Sequence, residues 1–267
     1  MKLETTSPSV NTLLLYPEEV SPSGLVQLFG ARARHASDAF HDVSVGISIP
    51  ASVRGGPRGR ATYLRIEPDS VELTFEVTKG PMPRNPITLV VAVSRPQTIK
   101  KVIQAAVFLG VERLVFARTD LTEKSYLSSR ELRDERITLE VERALEQCGD
   151  SIGPVISIHR ALSEVVEEQV SNRWAFFAHT TSPGGMATSS SGEGGEQGPP
   201  ESVTLAIGPE KGWSVREQHL FIERGFQAIS LGERVLRVDA AVYIAIAALM
   251  PPLIVHGKSR LIPEGFR

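Results

Sequence analysis

From Ile87 to Leu249 short apolar runs alternate with longer amphipathic stretches, and this alternation restricts the fold more than any other feature. Ile87-Thr-Leu-Val-Val-Ala-Val93 is apolar at successive positions, as a strand covered on both faces requires. A helix is predicted over 97–109, with Ile99, Val102, Ile103, Ala106 and Val107 on one stripe and Gly110 as its stop. Val111–Phe116 reads as the next strand, and Ser128-Ser-Arg-Glu131 has the spacing of a capping box opening a long helix to Cys148. Further strands are predicted at Val155–Ile158, Trp174–Ala178, Val203–Ile207 and Phe226–Leu231. Helices are predicted over 161–170, from Ser214, and after Arg237, the last with Asp239 as N-cap. The implied class is α/β, a mostly parallel sheet covered on both faces.

Before this region the pattern is β-like. Val43–Ile49, Ala61–Ile66 and Val71–Val77 alternate apolar with polar residues, predicting a small β module, perhaps closed as a barrel, over 10–80. Three prolines and a glycine in Lys79-Gly-Pro-Met-Pro-Arg-Asn-Pro86 make a linker, which divides the chain into domains at 1–80 and 81–267. The β module is locally basic, with Arg32, Arg34, Arg54, Arg58, Arg60 and Arg65 against Asp38 and Asp42. Arg58 and Arg60 fall in a glycine-rich loop that begins at Gly55. Residues 182–202 are mostly Gly, Ser and Pro and predict a flexible insertion between two core strands.

Composition narrows the function. The 267 residues carry a net charge of −2, so any RNA binding comes from a local patch. The one cysteine, Cys148, excludes an intrachain disulfide. The longest apolar run, Ala240–Met250, is shorter than the roughly 18 residues a membrane span needs. No histidine spacing resembles a metal site. These features suit a soluble, cytoplasmic chain without a membrane or metal partner.

Two loops carry the chemistry. Gly208-Pro-Glu-Lys-Gly212 follows a strand and feeds a helix, the place where open α/β sheets bind ligands. It is not a dinucleotide or Walker loop, and Glu210 would repel a polyphosphate. A ligand with a positive centre or hydroxyl donors suits it better. The second loop, Ser230-Leu-Gly-Glu-Arg-Val-Leu-Arg237, runs into an alanine-rich helix suited to burial or a subunit interface.

Ile207-Gly-Pro-Glu-Lys-Gly-Trp-Ser214 and Leu231-Gly-Glu-Arg-Val-Leu-Arg-Val-Asp-Ala-Ala241 resemble the two signatures of the ribosomal RNA small subunit methyltransferase E family. Ile103–Val111, Thr122-Glu-Lys-Ser125 and Glu146-Gln-Cys-Gly149 resemble further segments of it. The resemblance implies a SPOUT-class trefoil-knot methyltransferase domain after a PUA-like β-barrel RNA-binding domain. It implies S-adenosylmethionine as cofactor and N3 of a uridine in 16S rRNA, or in the small ribosomal subunit, as target. It also implies a homodimer. By the same resemblance Ala178, His179, Ile207, Gly208, Pro209, Gly212, Leu231, Gly232, Val235 and Leu236 would bind the cofactor. Arg237 and Glu210 would be catalytic, and Arg32, Arg34, Arg54, Arg58 and Arg60 would bind RNA. Lys211, Asp150, Ala105 and Asp239 depart from the family pattern. Two other readings therefore stand beside it: a SPOUT methyltransferase with another RNA target, and a non-catalytic RNA-binding protein.

Overall fold

The computed structural model describes residues 12–38, 40, 43–159, 161–168, 174–179 and 202–249. The chain divides into two compact units, one of residues 1–84 with 137–154, the other of 85–136 with 155–267.

In the first unit, strands β1 (Leu13–Leu15), β2 (Leu25–Phe29), β3 (Ser48–Val53), β4 (Arg58–Ile66) and β5 (Ser70–Lys79) form one sheet in the order β1-β3-β4-β5-β2. Only β1 and β3 run parallel. Alternate residues Ala61, Tyr63, Val71, Leu73 and Phe75 point into a core with Leu13, Leu15, Val26 and Leu28. Helix α1 (Gly30–Asp38) adds Ala33 and Ala36. The Tyr63 hydroxyl donates to the Ala36 carbonyl at 2.5 Å, and burial pushes the phenol up to about 12.

The strand expected at Val43–Ile49 begins instead at Ser48, because Gly46 turns the chain with φ at 87° and its amide donates to the Tyr63 carbonyl. Arg58 and Arg60 lie on β4, not in a loop. Gly59 between them is required, since a Cβ there would come within 1.9 Å of the Glu76 carbonyl oxygen.

In the second unit, strands β6 (Asn85–Ala92), β7 (Val111–Ala117), β8 (Val155–His159), β9 (Ala175–Ala178), β10 (Val203–Ile207) and β11 (Gln227–Ile229) form a parallel sheet in the order β11-β9-β10-β6-β7-β8. Its helices are α2 (Pro96–Phe108), α4 (Leu162–Glu168), α5 (Val215–Glu223) and α6 (Val238–Leu249). Every residue of β10 is buried, as its unbroken apolar run predicts. Phe221 of α5 sits in an aromatic cluster, stacked on Phe177 at 4.8 Å and edge-on to Trp213 at 4.8 Å.

Helix α3 (Asp134–Cys148) starts later than its expected capping box. Ser129 caps a short 3-10 turn over Arg130–Leu132, accepting from the Glu131 amide. Glu131 is buried there, within ion-pair distance of Lys100, Arg130 and Arg136, which together hold its carboxyl below the usual range. From Ile137 onward α3 belongs to the first unit, where Glu146 accepts from the Thr12 amide through its carbonyl. The predicted insertion at 182–202 lies, apart from Ser202, outside the described residues.

Within the first unit His35 and Glu146 form a hydrogen-bonded ion pair at 2.7 Å. That bond raises the His35 pKa above its ordinary 6.5. The pair's contribution to stability is therefore complete below pH 6.5 and is lost as pH rises through the raised native value. His35 is partly exposed, so the effect is modest. Thermal melts of wild type and His35→Gln should differ by about 1–2 °C more at pH 6 than at pH 8. A gap that grows toward pH 8 would contradict the assignment.

Candidate active site

The functional geometry begins with the sheet register. Ala206 of β10 pairs with Phe177 of β9, and Ile229 of β11 pairs with Ala178. Three adjacent parallel strands therefore end at about the same level, and their following loops leave from one edge of the sheet. Those loops carry most of the residues singled out in the sequence: Ala178–His179, Gly208–Gly212 and Leu231–Arg237.

The loops are tied to one another. The Trp213 indole N–H donates to the Ala178 carbonyl at 2.9 Å, and the His179 amide donates to the Ile229 carbonyl at 2.9 Å. Trp213 also packs against Gly208, where a Cβ would lie 3.2 Å from the indole ring. Gly212 and Gly232 have φ values of 75° and 115°, which only glycine adopts readily. Ser230 Oγ accepts from the Gly232 amide at 3.3 Å and shapes the last turn.

The loop after β7 latches onto the start of α5. Ser214 and Glu217 form the expected capping box. Glu217 is buried, and its two oxygens accept from the Asp120 amide at 2.7 Å and the Ser214 amide at 2.9 Å. Asp120 in turn accepts from the Ser214 hydroxyl and pairs with Arg216. Hydrogen bonds from Arg216 and Ser214 hold the Asp120 carboxyl below its usual range. Lys211 pairs with Glu123, and that bond lowers the Glu123 pKa. The Asp120 latch and the anchoring role of Trp213 were not legible in the sequence. Their one signal was a large aromatic directly after a glycine loop.

Arg237 makes a two-pronged ion pair with Asp239, at 2.8 and 3.1 Å. Asp239 is not the N-cap expected of it, because α6 begins at Val238 and the Arg237 carbonyl already accepts from the Ala241 amide. Its side chain instead orients Arg237 from the first turn, with Lys101 at 3.8 Å. Glu210 is exposed and 3.9 Å from Arg95.

In the first unit the arginines divide into two groups. Arg32 bonds Glu19 at 2.8 and 2.9 Å and the Leu14 carbonyl at 2.7 Å, and it stacks over Tyr16. Arg54 pairs with Glu142 and Arg34 with Asp69, each at 2.8 Å. Among the described residues Arg58 and Arg60 bond neutral groups, Gly80 and Ser48, and have no ion pair. Two of the departures from the family pattern serve the fold. Ala105 is fully buried in α2, while Asp150 is buried, accepts from the Ser151 amide at 2.7 Å and pairs with Arg84. Among the described residues there is no cluster able to hold a metal, and no helix long and apolar enough to cross a membrane.

The RNA methyltransferase domain family matches residues 81–250, well over half of the chain. This chain belongs to the RNA methyltransferase family. Among curated relatives, the methyltransferase is 27% identical over 262 residues to the Ribosomal RNA small subunit methyltransferase E of Treponema pallidum, covering 96% of this chain and 95% of that one. A protein of the same name from Synechocystis is 27% identical over 164 residues, covering 61% of this chain and 52% of that one. Among solved structures, the methyltransferase shares its fold with the Ribosomal RNA small subunit methyltransferase E of Neisseria gonorrhoeae bound to S-adenosyl methionine. The TM-score is 0.71 at 24% identity, covering 90% of this chain and 97% of that one. These relatives bear out the resemblance drawn from the two C-terminal signatures.

Proposed function

We propose that this RNA methyltransferase uses S-adenosylmethionine to methylate N3 of a uridine in 16S rRNA. The observation that carries the reading is the meeting of three signature loops at one edge of a parallel sheet, tied through Trp213 and His179. The residues there fit the cofactor. Among the described residues, the backbone groups of Leu231, Val235 and Leu236 take part in no hydrogen bond, which leaves them for an adenine edge. Gly212 and Gly232, with nothing near their Cβ positions, let the backbone approach a ligand closely. The same loops are those that the SPOUT trefoil knot would bring together.

When bound, S-adenosylmethionine supplies a sulfonium methyl group for in-line displacement. The chain's own residues must align the attacking nitrogen and favour its anion. Uridine N3 attacks only after losing its proton, and negative charge then spreads over the base. Arg237, fixed by Asp239, is the group that stabilises this charge. Glu210 orients the donor or the base from the neighbouring loop. Arg58 and Arg60 of the PUA-like first unit contact RNA phosphates, because they alone of the five predicted arginines lack an acid partner among the described residues. Tyr243 and Ile244 form an exposed apolar spot on α6 that a second copy would cover in the homodimer. A target in the small ribosomal subunit would go with a cytoplasmic enzyme.

One observation favours another RNA as target. By the family resemblance positions 105 and 150 would be lysine and arginine; here they are a buried alanine and a buried aspartate. Mass spectrometry of rRNA from cells with and without the gene separates the readings. One 3-methyluridine missing from 16S rRNA supports the proposed target, and an intact 16S pattern rejects it.

A further inference from the structure

We propose that a cavity of this enzyme apart from its signature loops holds a backbone phosphate of the RNA substrate, gripped by Arg118 and Lys124. The cavity measures about 610 Å³, enough for a nucleotide unit. It lies between the loop after β7, the start of α4 and the exposed side of α5. None of the loop residues assigned to the methyl donor lines it. The inference rests on the methyltransferase reading for the identity of the RNA, but not for the charge argument.

The charges decide the ligand. Three acids line the cavity: Asp120, Glu217 and Glu223. Asp120 is neutralised by Arg216 and the Ser214 hydroxyl. Glu217 keeps its charge but is buried in the first turn of α5, with both oxygens taken by backbone amides. Glu223 is the exposed acid that most opposes a bound anion. On the other wall Arg118 and Lys124 are exposed, and their side chains have no ion pair or hydrogen bond among the described residues, although the Arg118 charge also acts on Asp120 from a distance. The loop that carries them is held in shape from within. Thr119 and Thr122 hydroxyls bond each other at 2.8 Å, and Thr122 Oγ1 accepts from the Thr119 amide at 3.2 Å.

The position suits a substrate that also reaches the donor loops. The loop after β7 leaves the same end of the parallel sheet as the loop after β10. The Asp120–Ser214–Arg216 latch ties the two loops together. A chain with its target base at the donor loops would run a neighbouring phosphate into this cavity. Phosphates need charge and no particular base, which is what two unpaired cations supply.

The test is filter binding of the full chain to a protein-free 16S rRNA fragment across a KCl series, with donor calorimetry and methyl transfer measured in parallel. The double variant Arg118→Ala, Lys124→Ala should bind roughly tenfold more weakly, with a salt slope shallower by about 1.4. Glu223→Gln should tighten binding about threefold. Donor affinity should not change in either variant. Neither cation is bonded into the fold, so melting temperatures should match wild type. Unchanged RNA affinity and slope in the double variant overturn the proposal while wild-type methylation still supports the enzymatic reading. The expected slope change in the double variant, beside a wild type that methylates neither the fragment nor assembled small subunits, supports the cavity and removes that reading. Uridine monophosphate competing as tightly as the RNA overturns the proposal, because the cavity would then be a free-nucleotide site.

Discussion

Arg237→Ala should lower methyl transfer about 10²- to 10³-fold, the range seen when a group stabilising developing negative charge is removed. Donor affinity should persist, because the side chain is exposed and its contacts run to Asp239 and not to the donor loops. The fold should persist too, since the Arg237 backbone carbonyl alone opens α6. Asp239→Asn should reproduce part of the loss, because a neutral amide no longer holds the guanidinium in its two-pronged grip. Arg237→Lys keeps the charge but not the fork, and should fall between the two. Single-turnover rates with calorimetry on each variant check the set. Full activity in Arg237→Ala with intact donor binding would remove the arginine from the mechanism.

Phe221→Ala should cost about 3–5 kcal/mol of stability, the range for deleting a buried aromatic. Phe221 is fully buried and contacts Phe177, Trp213 and Phe226 at ring-centroid distances of 4.8, 4.8 and 5.1 Å. A chain of this size should lose roughly 10 °C in melting temperature. The effect should reach the donor loops as well. Trp213 rests on Phe221 while its indole holds the Ala178 carbonyl, so a void beneath it loosens the tie between two loops. Donor affinity measured well below the melting transition should weaken in Phe221→Ala and recover in Phe221→Leu. Scanning calorimetry and donor titration check both parts. Stability within about 1 kcal/mol of wild type would show that the aromatic cluster does not carry the packing assigned to it.

Most of the second unit was legible because its strands are continuous apolar runs and its helices carry clean stripes. Val203–Ile207 and the Ser214–Glu217 cap were placed correctly for that reason. The errors have physical sources. β1 has three residues and α1 buries only two alanines, so neither gives a periodic signal. Ser128–Glu131 has capping-box spacing, yet Glu131 is drawn into a buried site among Lys100, Arg130 and Arg136, and the helix starts after it. Val43–Ile49 alternates correctly but is broken by the turn at Gly46. The three loops proposed to hold the donor were legible as motifs. Their mutual ties were not, because Trp213 to Ala178 and Glu217 to Asp120 join residues far apart in sequence. The basic cluster was legible in composition, whereas the acids beside Arg32 and Arg54, Glu19 and Glu142, are revealed only by the fold.

The most direct measurement incubates the purified chain with unmodified 16S rRNA, assembled into small subunits, and S-adenosylmethionine carrying an isotopically labelled methyl group. Nuclease digestion and mass spectrometry then identify the labelled nucleoside. Label in 3-methyluridine at one position is the expected result. Label in another nucleoside, or a chain that binds donor and RNA yet transfers nothing, would contradict it.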